Sequence, residues 1–306
     1  MTILTKTAFF AGAAALVLVV PPASAQTKVQ IGIAQPNVEH PYRVGGIENA
    51  KAWGAKNPNV QLTIVDGRRD SAVQLSGIED LVTRRVSAIV MSPNDSKALA
   101  PAADAAARAG IPLIVFDRAL DVPADKYAAF IGADNIEMGR VAARFIIEKI
   151  GTTGKIIQLE GTPGASATVD RKKGFEEEVA KHAGLRVVSY VGHYRLQEAV
   201  AAMEDALTAH RDAKGVYAHN DTMAMGAAKV LDERKITGVV VTGMDGGKEG
   251  CEGVVSGKLT GSIYYPTMFP EALELTMKVL NKEKVEKSTF VQTPMISKAN
   301  QSTYCK

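Results

Sequence analysis

Three short apolar runs in this chain end in side chains suited to hydrogen bonding. Pro112-Leu113-Ile114-Val115-Phe116 runs into Asp117-Arg118, Val216-Tyr217-Ala218-His219 into Asn220-Asp221, and Val239-Val240-Val241-Thr242-Gly243 through Met244 into Asp245-Gly246. Carboxylates accept hydrogen bonds, a guanidinium donates from a rigid planar fork, and an amide does both. Such a set holds a polar ligand reversibly. In an open parallel α/β sheet ligands bind beyond the carboxyl ends of the strands, so three ends of this kind predict one shared polar cleft.

Spacings that serve other chemistries are missing. The chain has no glycine-rich phosphate loop of the lysine-serine type, no HExxH metal site and no GxSxG elbow. The five histidines, His40, His182, His193, His210 and His219, show no metal-ligand spacing. His219 has the type of a general base but no nucleophile beside it. The residues predict a binding protein and not an enzyme, with no cofactor and no metal.

The elements that position these groups follow a repeating pattern. Candidate strands begin near Val29, Gln61, Ala88 and Pro112, then near Lys155, Arg186, Gly215, Val239 and Thr260. A spacing of about 25 to 30 residues is that of βα units. Between them lie Ala-rich amphipathic helices; residues 71–84 place Val73, Ile78, Leu81 and Val82 at helical intervals. A gap in the strand series between Pro112 and Lys155 holds a short run, Ala128 to Gly132, and a long helical pattern from Ile136 to Ile150. That gap divides the chain into two similar halves, each read as a parallel sheet covered by helices on both faces.

The N-terminus carries an export pattern: Lys6, then nearly unbroken Ala, Phe, Leu and Val over residues 8–20, then Ala23-Ser24-Ala25. This predicts a signal peptide over residues 1–25, cleaved after Ala25, and a soluble periplasmic protein. The apolar stretch is too short for a spanning helix, which needs roughly 20 residues. No cysteine near the cleavage point offers a lipid attachment site. The formal charge of +3, less Lys6, predicts neither nucleic acid nor a membrane surface as partner. Cys251 and Cys305 would meet oxidising conditions after export. They either pair or remain one buried thiol and one at a frayed end.

Four segments in order carry a family resemblance: Asp117-Arg118; Gly164-Ala165-Ser166-Ala167 leading to Arg171 and Gly174-Phe175; Ala218 to Ala227; and Gly243-Met244-Asp245-Gly246. The chain resembles the periplasmic sugar-binding proteins of ABC transporters, in the D-ribose-binding branch of the type I periplasmic binding proteins, over essentially all of residues 26–306. The resemblance implies two Rossmann-like lobes, 26–133 plus 265–292 and 134–264 plus 293–306, joined by three crossover hinge segments near Ala133, Tyr265 and Thr293. It implies a small monosaccharide or polyol closed between the lobes and delivered to a membrane permease; some relatives also signal to chemoreceptors. A monomer is expected. Sugar-sensing domains of lac-repressor-type regulators are similar to this fold, but carry a DNA-binding helix-turn-helix where this chain has its export pattern.

By the same resemblance the ligand-binding residues are His40, Tyr42, Arg43, Asp117, Arg118, Arg171, Tyr194, Asn220, Met244, Asp245 and Tyr265. Asp117, Asp245, Arg118, Arg171 and Asn220 would meet hydroxyls, and Tyr42 and Tyr194 would lie against the sugar's faces. The ribose branch carries an asparagine, a proline and two phenylalanines where this chain has His40-Pro41-Tyr42-Arg43. It carries phenylalanine at the position of Met244 and glutamine at that of Tyr265. These departures leave ribose itself open, and Arg43 with Arg118 and Arg171 admits a sugar acid as the alternative ligand.

Plainer roles compete at several positions. Asp221 reads as the N-cap of the helix that follows. Asp117 and Asp245 have the type of turn residues, Tyr194 that of a core or rim aromatic, and Arg171 that of a solvated helix charge. Arg43 could lie at the rim or pair with Glu39. Trp53 reads as packing.

Overall fold

The computed structural model describes Thr2 and residues 28–305, so the export segment proposed for residues 1–25 lies outside the described residues, Thr2 apart. Strands and helices alternate. The first group is β1 (Val29–Gln35), α1 (Pro41–Lys56), β2 (Val60–Asp66), α2 (Ser71–Thr83), β3 (Ala88–Met91), α3 (Ala100–Arg108), β4 (Leu113–Asp117) and β5 (Ala129–Gly132). A second group follows with α4 (Asn135–Ile150), β6 (Thr153–Glu160), α5 (Ser166–Val179), β7 (Gly184–Val191) and α6 (Leu196–Ala209). It continues with β8 (Gly215–Ala218), α7 (Asp221–Glu233), β9 (Val240–Asp245), α8 (Lys248–Ser256) and β10 (Gly261–Tyr264). The chain ends with α9 (Glu271–Leu280), β11 (Ser288–Phe290), β12 (Met295–Ser297) and α10 (Gln301–Tyr304).

Two six-stranded sheets result, in the orders β11-β5-β4-β3-β1-β2 and β12-β10-β9-β8-β6-β7. All pairings are parallel except β10 with β12. Central strands β3, β4, β5 and β8 are buried along their whole length, which suits their continuous Val/Ile/Leu/Phe character between two helical layers. Strands β11 and β12 were not read from the sequence; at three residues each, they are too short to show a period.

The chain passes between the sheets three times. It leaves β5 of the first sheet for β6 of the second, leaves β10 for α9, which packs on β3 and β4, and leaves β11 for β12. One apolar cluster includes residues of both sheets, among them Ile31, Phe116, Ile156 and Tyr217, together with Ala133 and Tyr265 at the passages. Trp53 packs against this cluster. The passages at Ala133 and Tyr265 are therefore packed into apolar core.

Side-chain caps set several helix entries. Asp70 Oδ1 accepts from the N–H groups of Ala72 and Val73, Asp134 Oδ1 from Glu137, and Asn220 Oδ1 from Met223, each worth about 1 kcal/mol. Cys251 of α8 and Cys305 beyond α10 form a disulfide that ties the C-terminal turn to the second lobe. No helix among the described residues is long and apolar enough to cross a membrane.

Candidate functional site

The carboxyl ends of β1, β4, β8 and β9 and the entries of α1 and α5 converge on a cavity between the lobes. It holds about 400 Å3 of atom-free space, open solvent at its mouth included. Ten of the eleven residues selected from the sequence line it: His40, Tyr42, Arg43, Asp117, Arg118, Arg171, Tyr194, Asn220, Asp245 and Tyr265. Met244 does not. It is fully buried in the apolar cluster, because alternation along β9 turns Asp245 toward the cavity and its neighbour to the opposite face.

Asn37, Arg69 and Ala167 also line the cavity and were missed. Asn37 follows β1 and Arg69 follows β2, so the strand-end argument that found Asp117 would have found both. Arg69 takes a positive φ of 61°.

Asp117 is a hub. It ends β4 with a φ of 62°. Its Oδ1 accepts from Tyr265 Oη at 2.7 Å, and its Oδ2 accepts from Ser92 Oγ at 2.7 Å and Arg43 Nη2 at 2.5 Å. Burial pushes this carboxyl up, but Arg43 and Arg118, with the bonds from Tyr265 and Ser92, outweigh it and hold it at about 2. Arg43 is thus neither at the rim nor paired with Glu39, whose carboxylate takes Arg69 Nε at 2.7 Å.

Arg118 and Arg171 are 7% and 3% exposed, so Arg171 is not a solvated helix charge. Arg118 Nη1 donates to the carbonyls of Pro93 and Asn94 at 3.3 and 3.2 Å, and its guanidinium lies 5.4 Å over the Tyr194 ring. Arg171 Nε donates to Asn135 Oδ1 at 2.8 Å, its Nη1 donates to the His219 carbonyl, and its guanidinium lies 5.1 Å over Tyr265. Backbone and amide acceptors therefore hold both forks in place before any ligand arrives.

Aromatic rings complete the wall. Tyr42 packs against Tyr265 at 5.3 Å and donates from its hydroxyl to the Pro266 carbonyl at 3.0 Å. Tyr194 shares a hydrogen bond with Thr168 Oγ1 at 2.9 Å. A Cβ at position 161 would fall 2.0 Å from this ring, so glycine at 161 is what lets Tyr194 reach the cavity.

On the second lobe the acids differ in role. Asp245 makes no side-chain hydrogen bond among the described residues, and burial, partly offset by Arg171, pushes it up to about 7. Asp221 is not the N-cap; Asn220 is. Asp221 accepts from Ser262 Oγ at 2.5 Å and from Gly246 N at 2.7 Å, bracing the turn that carries Asp245. Burial, then the nearby Asp245, raises it well above the usual carboxylate range. His219 is fully buried; burial, then Arg171, lowers its pKa well below the usual imidazole value.

The lobes touch directly around the cavity. Ser96 N donates to the Gly164 carbonyl at 3.0 Å, Ala119 N donates to Ser166 Oγ at 2.8 Å, and Asn220 Nδ2 lies 2.8 Å from His40 Nε2. This is a closed arrangement, with groups from both lobes on one enclosed volume.

A family model described as a periplasmic binding protein domain matches residues 31–284. The chain belongs to the periplasmic binding protein family. It is 32% identical over 263 residues to the ribose import binding protein of Bacillus subtilis, covering 84% of each chain. It is 31% identical over 278 residues to that of Escherichia coli, covering 90% of this chain and 93% of the other. A solved Mycobacterium smegmatis ABC transporter solute-binding protein with bound glycerol superposes with a TM-score of 0.84 at 31% identity, over 90% of this chain and 96% of that one. The chain is also 29% identical to a xylitol-binding protein of Mycolicibacterium smegmatis, over 80% of this chain and 71% of the other.

Proposed function

We propose that this periplasmic binding protein is the solute-binding component of an ABC importer, taking a monosaccharide or polyol between its lobes and delivering it to a membrane permease. The observation that carries this reading is the cavity itself. Guanidinium, carboxylate, amide and tyrosine groups from both lobes are pre-set around one volume, while aromatic faces supply apolar contact. A polyhydroxy ring or chain offers the matching set of donors, acceptors and C–H patches. Relatives named for ribose, xylitol and galactofuranose support the ligand class.

Closure supplies the mechanism. A ligand favours the closed form because only there do Arg118 of the first lobe and Arg171, Asn220 and Asp245 of the second reach it together. The three passages between the sheets are the hinge. Export through the segment ending at Ala25 belongs to the same reading, as does the absence of turnover. A fructose-binding domain of a hybrid two-component system, 26% identical with a TM-score of 0.84, supports a sensor as a second partner.

The test is calorimetric titration of the exported protein, stripped of copurified ligand, with pentoses, hexoses, tetritols, pentitols, inositol and the matching sugar acids, followed by chemical recovery of the ligand. Saturable binding with the ligand returned unchanged supports the reading. Failure of every member to bind, or conversion of the ligand, refutes it.

A further inference from the structure

The wall of this cavity holds more guanidinium than carboxylate. Asp117 faces two arginines, with Arg43 Nη2 at 2.5 Å and Arg118 Nε at 4.0 Å. Its oxygens are otherwise occupied by Ser92 and Tyr265. Among the described residues Arg171 has no carboxylate within 4.0 Å, and the Nη2 groups of Arg118 and Arg171 have no acceptor. Arg69, also on the lining, is matched by Glu39. One negative hub thus stands against three buried cations, with Asp245 as the other acid on the lining among the described residues.

A buried cation without a counter-charge or a full set of hydrogen bonds is costly. A neutral polyol supplies acceptors without charge. A carboxylate supplies both, in the two-oxygen geometry that guanidinium forks match.

We propose that the site takes a polyhydroxy carboxylate, a sugar acid, in preference to the neutral sugar or polyol of the same carbon number, with Arg118 and Arg171 holding the carboxylate and Asp245 accepting from hydroxyls. This rests on the reading of the inter-lobe cavity as the ligand site. Arg43 is a positioning residue in this arrangement. It does not meet the acid; it occupies Asp117, so that the Asp117 charge is shared and Arg118 keeps cationic character toward the ligand. Asp245, held up at about 7, is partly protonated near neutrality and opposes an anion less than a fully ionised acid would.

The experiment is calorimetric titration of the exported protein with matched sets at constant ionic strength: sodium erythronate with erythritol, sodium ribonate with ribose and ribitol, and sodium gluconate with glucose and sorbitol. The acid of at least one set should bind about tenfold to a hundredfold more tightly than its neutral partners, the scale of one charge-assisted hydrogen bond. Neutral members binding as tightly as their acids, or more tightly, overturn the proposal and leave the reading of the site intact. Silence from all members overturns both. In Arg43→Met the acid should lose more affinity than its neutral partners, so that the preference collapses toward parity, and in Arg43→Lys it should persist. A preference unchanged in Arg43→Met removes Arg43 from the account, and thermal unfolding of both variants separates this from loss of fold.

Discussion

His40 and Asn220 face each other across the cleft, 180 residues apart in sequence, with Nε2 of one 2.8 Å from Nδ2 of the other. Asn220 Oδ1 is taken by Met223 N, so its amide nitrogen is the donor. His40 Nδ1 is also within 3.3 Å of Tyr42 N at the start of α1. A neutral imidazole has one acceptor nitrogen, so the two donors compete for it. The contact with Asn220, at 2.8 Å, is the shorter of the two and joins the lobes. Burial, then Arg43, Arg69 and Arg118, hold the His40 pKa down to about 3, which keeps the ring neutral and able to accept.

His40→Ala should therefore weaken ligand binding about fivefold, the worth of one hydrogen bond of ~1 kcal/mol. Calorimetry with the best ligand measures this, alongside unfolding of the unliganded variant, where loss of the cap costs about 1 kcal/mol or less. An unchanged dissociation constant would remove this pair from the closure mechanism.

Asp117 carries a different expectation. Asp117→Ala leaves the Arg43 guanidinium buried beside Gln35 with no counter-charge, and removing one partner of a buried pair costs about 3 to 5 kcal/mol. Urea unfolding near neutral pH should show that loss without ligand present. The Asp117 carboxyl is depressed to about 2, so its contribution is present above the unfolded value of about 4 and is lost as pH falls through 2.

Asp245 titrates in the opposite sense. Its folded value of about 7 lies above the unfolded one, so the folded protein holds a proton that the unfolded chain releases between about pH 4 and pH 7. Stability from this group is full below the unfolded value and lost as pH rises through the folded one. Asp245→Asn should thus be more stable than the parent, without ligand, at about pH 8, with the advantage shrinking toward pH 4. Thermal unfolding across that range checks it; a pH-independent difference would contradict the assignment. Ligand affinity should fall in the same variant, since an amide replaces a carboxylate acceptor.

The disulfide closes a segment with a sequence separation of 54. Cys251→Ser with Cys305→Ser should cost about 2 to 4 kcal/mol, read as a lower unfolding temperature, with ligand affinity little changed because neither sulfur reaches the cavity. A matching fall in affinity would mean that the C-terminal turn helps to position β9 and β10.

What the sequence determined by itself was local. Apolar runs of strand length ending in Asp117-Arg118, Asn220 and Asp245 mark the elements and the polar end of each sheet, because strand burial and the α/β crossover leave a period and an abrupt polarity change in the chain. The family resemblance then extended those ends to Arg171, Tyr194 and Tyr265. Tertiary structure alone decided which group serves which partner. Arg43 meets Asp117 across 74 residues, Asn220 and not Asp221 caps α7, Met244 turns into the core while Asp245 faces the cavity, and Cys251 reaches Cys305. Each outcome depends on strand parity, helix phase and distances across the folded chain, and one-dimensional spacing carries none of these.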